Sequence, residues 1–117
     1  MSDPQNDIEI SVEEAQRRLD AGEVQLVDVR EPEEWDVSRI PGEGVRHIPL
    51  GELQGRAGEI EPGKPVVFQC RVGGRSLMAA QAFRASGFEA YSMAGGLLEW
   101  HEKGLPVEPA DAGVADH

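Results

Sequence analysis

The sequence predicts an α/β fold, a small parallel β-sheet with helices on both faces. Short apolar, β-branched runs alternate along the chain with stretches of helical pattern. Proline and glycine pairs at Pro41-Gly42, Pro62-Gly63 and Gly95-Gly96 punctuate them. The length, 117 residues, suits one small domain. Regular alternation of strand and helix is the pattern of parallel strands joined by crossover helices.

In order, residues 8–10 form a short edge strand. Ser11 caps a helix and Glu14, three residues on, completes a capping box. Val12, Ala15 and Leu19 share one face of that helix, and Gly22 ends it. Residues 24–29 are apolar enough for a buried strand. Pro32 and the acids around it open a short helix, which Trp35 and Ile40 anchor to the core. Residues 45–48 form the next strand. Residues 50–60 read as a weak helix, interrupted by Gly51, Gly55 and Gly58. Residues 66–69 form a further buried strand that runs into Cys70. Residues 71–75 are a loop, and 76–86 a helix packed through Leu77, Ala80, Ala82 and Phe83. Residues 88–93 are the last strand, and Gly95-Gly96 leads to a last helix through Leu97, Leu98 and Trp100. From Pro106 the chain is small, acidic and aperiodic, a loose tail. The expected division is a flexible N-terminus at 1–7, a domain at 8–108 and a disordered acidic tail at 109–117.

The balance of 22 acidic against 11 basic residues gives a net charge of -11. That repels nucleic acid and anionic membranes, so neither is an expected partner. No apolar run approaches the roughly 20 residues of a membrane helix. Residues 1–7 lack the basic start and apolar stretch of a signal peptide. The chain has one cysteine, which excludes an internal disulfide and argues against a structural zinc site. A cytoplasmic location follows as the expectation. His47 and His101 lack metal-ligand spacing, and no cofactor is implied.

The informative segment is Cys70-Arg71-Val72-Gly73-Gly74-Arg75-Ser76. A strand delivers the thiol, two glycines let the backbone curl with its amides inward, and a helix then starts. Such a loop is an anion cradle around a sulfur. Arg71 and Arg75 add positive charge in an acidic chain. Free thiols titrate near pH ~8.5, and reactive cysteines in such surroundings at roughly 3.5–7.5. A lone cysteine is commonly a small buried hydrophobe; the flanking glycines and arginines argue against that here. Arg30 and Glu34 are spaced as a surface helix pair. Trp35 and Trp100 read as core.

This segment resembles the six-residue active loop of the rhodanese homology domain, in its single-domain form. Three further pieces resemble the family in the same order: Asp28-Val29-Arg30-Glu31 with Glu34-Trp35; Arg39-Ile40-Pro41-Gly42 with His47-Ile48-Pro49-Leu50; and Gly95-Gly96 through Trp100 to Gly104-Leu105-Pro106-Val107. Arg39 stands where a histidine is common, and Glu43-Gly44 lengthens the following turn. The resemblance covers nearly all of 8–108. It implies a sulfurtransferase in which Cys70 attacks a small anionic sulfur donor such as thiosulfate, holds the sulfur as a persulfide and passes it to cyanide, a thiol or a protein. Arg71, Val72, Gly73, Gly74, Arg75 and Ser76 would bind the substrate, with Arg75 either doing so or locking the loop through a carboxylate. Asp28 and Arg30 would brace the loop. A sulfur-relay or redox module is the main alternative. A Cys-loop phosphatase or arsenate reductase ranks lower, because only four residues separate Cys70 from Arg75.

Overall fold

The computed structural model describes residues 8–110 and 112–115. Strands β1 (Glu9–Ile10), β2 (Gln25–Asp28), β3 (Val45–His47), β4 (Val66–Gln69) and β5 (Ala90–Met93) form one sheet in the order β1-β5-β4-β2-β3. Every neighbouring pair is parallel. Helices α1 (Val12–Asp20), α2 (Pro32–Val37), α3 (Gly74–Ala85) and α4 (Gly96–Glu102) connect and cover it.

Side chains alternate across the sheet and build a core on each face. On one face Val27, Val66 and Phe68 meet Ala79, Ala80 and Phe83 of α3, together with Leu53 and Ile60. Phe68 and Phe83 pack edge to face with ring centroids 5.0 Å apart. On the other face Leu26 and Val67 meet Val12 and Ala15 of α1 and Leu97 and Trp100 of α4. Each fully buried large side chain contributes about 1.5–3 kcal/mol. Both strand faces are therefore apolar, which is why β2 and β4 read as continuous rather than alternating runs.

Ser11 caps α1 by accepting the Glu14 N–H at 3.0 Å. The Glu14 carboxylate does not return to Ser11; it takes Arg17 at 2.9 Å and Arg18 at 2.7 Å, so the box is half made. The helix expected over 50–60 is instead two 3-10 turns, Leu50–Glu52 and Ala57–Glu59. Gly51, Gly55 and Gly58 weaken a longer helix, while Leu53 and Ile60 gain burial from the irregular path. Helix α3 starts at Gly74, two residues before its expected start, and its buried stripe is Ser76, Ala79, Ala80 and Phe83. Ala82, expected to pack, is exposed. Ser76, Ala79, Ala80 and Phe83 recur at the three- and four-residue spacing of one helix face, from which Ala82 is turned away.

The stretch expected to be loose from Pro106 lies against the body in its described part. Pro106 O accepts the Trp100 indole N–H at 2.8 Å. Arg39 and Glu108 exchange backbone hydrogen bonds at 2.9 and 2.8 Å. Ser38 Oγ donates to Gly113 O at 2.6 Å. Val107 and Val114 pack on the second core. Backbone pairing of this kind offsets the poor periodicity that suggested a free tail. The expectations for residues 1–7, Asp111, Asp116 and His117 lie outside the described residues. Among the described residues no helix is long and apolar enough to cross a membrane.

Candidate active site

Strand β4 is central, flanked by β5 and β2. The last register pair joins Asp28 to Gln69, and Val29 N–H donates to Gln69 O at 2.9 Å. Val29-Arg30 and Cys70-Arg71 thus leave the sheet side by side. From β2 the chain moves out to β3, and from β4 it moves the other way to β5. Ligands bind in α/β sheets at such a change of direction, beyond the strand carboxyl ends.

There the backbone wraps the thiol. Gly73 takes φ 111° as the N-cap of α3, a left-handed conformation natural to glycine. Its N–H points at Cys70 Sγ at 3.1 Å, and the Ser76 N–H does so at 3.4 Å. These are helix-start amides with no partner in the helix. The Cys70 side chain is 1% exposed and belongs to the first core. It is therefore buried after all, contrary to the sequence reading, while its sulfur is bound by amides rather than by apolar contacts alone. Glu31, Cys70, Arg71, Val72, Gly74 and Arg75 line a shallow cavity of about 410 Å³.

The start of α4 holds the loop from the outside. Leu97 N–H donates to Cys70 O at 2.8 Å and Leu98 N–H to Arg71 O at 3.0 Å. With both carbonyls turned outward, the following amides are left to face the sulfur. Gly96 has φ 61°, and a Cβ there would collide with Cys70 O and the Arg71 carbonyl.

The two loop arginines have different surroundings. Arg75 grips Glu34 with two hydrogen bonds, Nη1 to Oε1 at 2.7 Å and Nη2 to Oε2 at 3.0 Å. Burial pushes the Glu34 carboxyl up, but the Arg75 guanidinium, the Glu31 N–H and the charges of Arg75 and Arg30 outweigh it and hold it at about 2. Glu34 in turn raises Arg75 above the ordinary arginine value. Of the two roles expected for Arg75, its guanidinium takes the locking one. Arg71 lines the cavity and donates Nε to Ala115 O at 3.1 Å.

Arg30 and Glu34, expected as a surface pair, are both fully buried; of Glu34, Arg30 reaches only the backbone carbonyl, while the Glu34 carboxylate goes to Arg75. Arg30 binds Asp28 at 2.8 Å, Ser38 O at 2.7 Å and Glu34 O at 3.3 Å. It thereby ties the strand end to α2, the bracing role expected of Asp28 and Arg30. A charge so buried is stable only when paired and hydrogen-bonded throughout. His47 contacts Arg30 O through Nε2 at 2.8 Å. Trp35 is half-buried, stacked on the His47 ring at 4.8 Å between centroids, while Trp100 is core.

Sequence reasoning missed Ser92. It is fully buried, and its Oγ lies 2.7 Å from Ser76 Oγ. The available signal was a hydroxyl on the same strand face as Ala90, in a strand with no other reason to bury one. The residue pairing of Arg75 with Glu34 was equally absent from spacing, since 41 positions separate them.

Residues 11–103 match the model of the Rhodanese-like domain. The chain belongs to the rhodanese-like domain family. It is 42% identical over 104 residues to the HTH-type transcriptional regulator Rv0324 of Mycobacterium tuberculosis, covering 86% of this chain and 45% of that one. It is 38% identical over 97 residues to the putative sulfur carrier protein YrkF of Bacillus subtilis, covering 81% and 51%. A sulfurtransferase of Allochromatium vinosum is 34% identical over 94 residues, covering 80% and 86%. The chain thus spans about half the length of the first two relatives and most of the third. Among solved structures, a rhodanese-related protein from Thermoplasma volcanium superposes with a TM-score of 0.77 at 27% identity, covering 85% and 95%. A Rhodopseudomonas palustris protein described as a possible tyrosine phosphatase gives 0.73 at 28% identity, covering 88% and 86%. This rhodanese-like domain therefore shares its fold with proteins described in both ways.

Proposed function

We propose that this rhodanese-like domain is a sulfurtransferase that carries sulfane sulfur as a persulfide on Cys70. The observation that carries the reading is the pair of backbone N–H groups aimed at Cys70 Sγ from Gly73 and Ser76. Donors so placed hold negative charge on a sulfur that must be a nucleophile in one step and a leaving group in the next. In the first step the Cys70 thiolate attacks the outer sulfur of thiosulfate or a related donor. The donor's S–S bond breaks and sulfite leaves with the electron pair. In the second step cyanide, a thiol or a protein thiol attacks the outer persulfide sulfur. The new S–S bond breaks and the pair returns to Cys70. Arg71 meets the anionic donor, and the loop from Val72 to Ser76 supplies the cradle. A cytoplasmic setting, which keeps a lone thiol reduced, suits this chemistry.

The name of the sulfurtransferase relative from Allochromatium vinosum supports sulfur transfer by an enzyme. The sulfur carrier name of the Bacillus subtilis relative supports the second reading, a relay whose acceptor is another protein. The phosphatase reading is opposed by Arg75, whose guanidinium nitrogens are engaged by Glu34 rather than turned to a phosphoryl group.

The test is intact-protein mass after thiosulfate and again after cyanide. A gain of roughly 32 Da on Cys70, removed by cyanide as thiocyanate, is expected. No adduct from thiosulfate or polysulfide would overturn the proposal. Turnover with small thiols favours an enzyme; turnover only with a partner protein favours a relay.

A further inference from the structure

We propose that Ser92 is a positioning residue for the sulfur chemistry of Cys70, acting through the hydroxyl of Ser76. The proposal rests on the persulfide reading above and adds to it a third, switchable donor.

Ser76 Oγ stands at the centre of a small network. It accepts from Cys70 Sγ at 3.5 Å, donates to Gly73 O at 3.1 Å and lies 2.7 Å from Ser92 Oγ. A serine hydroxyl has one proton to give. With that proton on Gly73 O, the contact to Ser92 requires Ser92 to donate. Both serines are fully buried. Packing alone does not ask for them, because Ala79, Ala80 and Ala90 serve as small residues in the same core. A buried hydroxyl costs free energy unless it is hydrogen-bonded, so the pair needs a purpose beyond filling space.

The arrangement supplies one. Gly73 O also accepts the Leu77 N–H at 3.0 Å, so it stays paired if the Ser76 proton leaves it. When Cys70 is anionic it has no proton for Ser76. The Ser76 hydroxyl then turns about its Cβ–Oγ bond and donates to the sulfur. Sγ gains three donors: the Gly73 N–H, the Ser76 N–H and the Ser76 O–H. Ser92 donates to Ser76 Oγ in both states. It fixes that oxygen beside the sulfur and polarises its O–H. No proton passes between the serines; each keeps its own and one hydroxyl rotates. The sulfur is anionic as the attacking thiolate and again as the leaving group when the acceptor takes the outer persulfide sulfur. Both steps therefore feel Ser92 through Ser76.

The experiment uses the full chain as wild type, Ser92→Ala, Ser76→Ala, the double variant and Ser92→Thr. Two rates are measured at one fixed pH: alkylation of unloaded Cys70 by iodoacetamide, and discharge of the preloaded persulfide by cyanide. Ser76→Ala is expected to slow both at least about tenfold, the size of one hydrogen bond to a charged group, and Ser92→Ala about fivefold, the size of one between neutral groups. The double variant is expected to be no slower than Ser76→Ala, and Ser92→Thr to recover most of the rate. Residues in contact are non-additive in any role, so the discriminating result is the rescue: a serine that only filled space would not be replaced by the larger threonine. Wild-type rates in Ser92→Ala, or single losses that multiply in the double variant, would overturn the proposal. A wild type that takes up no sulfur would overturn the persulfide reading alone, and the alkylation rates would then decide the serine pair.

Discussion

Helices α3 and α4 begin in the same way and do different work. Each follows a parallel strand of the sheet, and each has a glycine in the left-handed conformation as its N-cap, Gly73 at φ 111° and Gly95 at φ 82°. The first turn of α3 aims N–H groups at a sulfur. The first turn of α4 aims them at the carbonyls of Cys70 and Arg71. Helix starts leave such donors unpaired, and whatever acceptor lies opposite takes them. One glycine turn therefore makes the cradle, and the other holds the cradle's outer wall. A glycine pair in the sequence marks a helix start but not its ligand; the strand beside it decides that.

Removing the ligand of the first cradle is the sharpest way to break the comparison. Cys70→Ser is expected to abolish persulfide formation completely, with thermal unfolding close to wild type, because the change is nearly isosteric. Any sulfur uptake by that variant, read by mass, would sink the mechanism, since no second cysteine exists.

The wall comes next. Gly96→Ala forces a left-handed alanine, at about 1–2 kcal/mol, and drives a methyl into the Cys70 and Arg71 carbonyls. The loop must shift, and a misplacement of about 1 Å commonly costs on the order of a hundredfold in rate. Persulfide formation should fall by that order. Gly74→Ala, where a Cβ meets nothing within 4 Å, should stay within about threefold. Equal losses in the two variants would refute the division of labour.

The Glu34–Arg75 lock predicts a pH signature. A carboxylate held at about 2 in the folded chain against about 4.3 unfolded stabilises the fold above the unfolded value. That stabilisation is lost as pH falls from about 4 towards about 2. Glu34→Gln is expected to lose on the order of 3 kcal/mol near neutral pH, measured by urea unfolding. The gap from wild type should close over that acid window. A gap that stays constant down to the bottom of the window would show that Glu34 does not titrate as the lock requires.

Charge at the cavity mouth has the smallest effects. Arg71→Ala should raise the KM for thiosulfate about tenfold with little change in kcat, the pattern of lost ground-state binding. Glu31→Gln, which removes an anion from the same cavity, should lower that KM about threefold. Unchanged thiosulfate kinetics in both would mean that the donor is not held by charge at this mouth.

The sequence by itself determined the sheet, because apolar runs and turn residues are local signals. It also determined that Cys70 emerges at a strand end before a helix, because strand, glycines and helix are contiguous there. Residues 50–60 were less legible: glycines weaken a helix without specifying what replaces it, and burial of Leu53 and Ile60 chose the 3-10 turns. The tail was misleading because most of its contacts are hydrogen bonds of its backbone carbonyls and amides with Ser38, Arg39, Arg71 and Trp100, which leave no mark on composition, and its two packed valines, Val107 and Val114, are too far apart to show a period. The partners of the site were decided only by tertiary structure. Glu34 meets Arg75, Ser92 meets Ser76 and Leu97 meets Cys70 because parallel strands bring distant segments together at their carboxyl ends. A residue's own chemistry is written in its sequence position, but its charge partner and its hydrogen-bond partner are set by the register of strands that pair far along the chain.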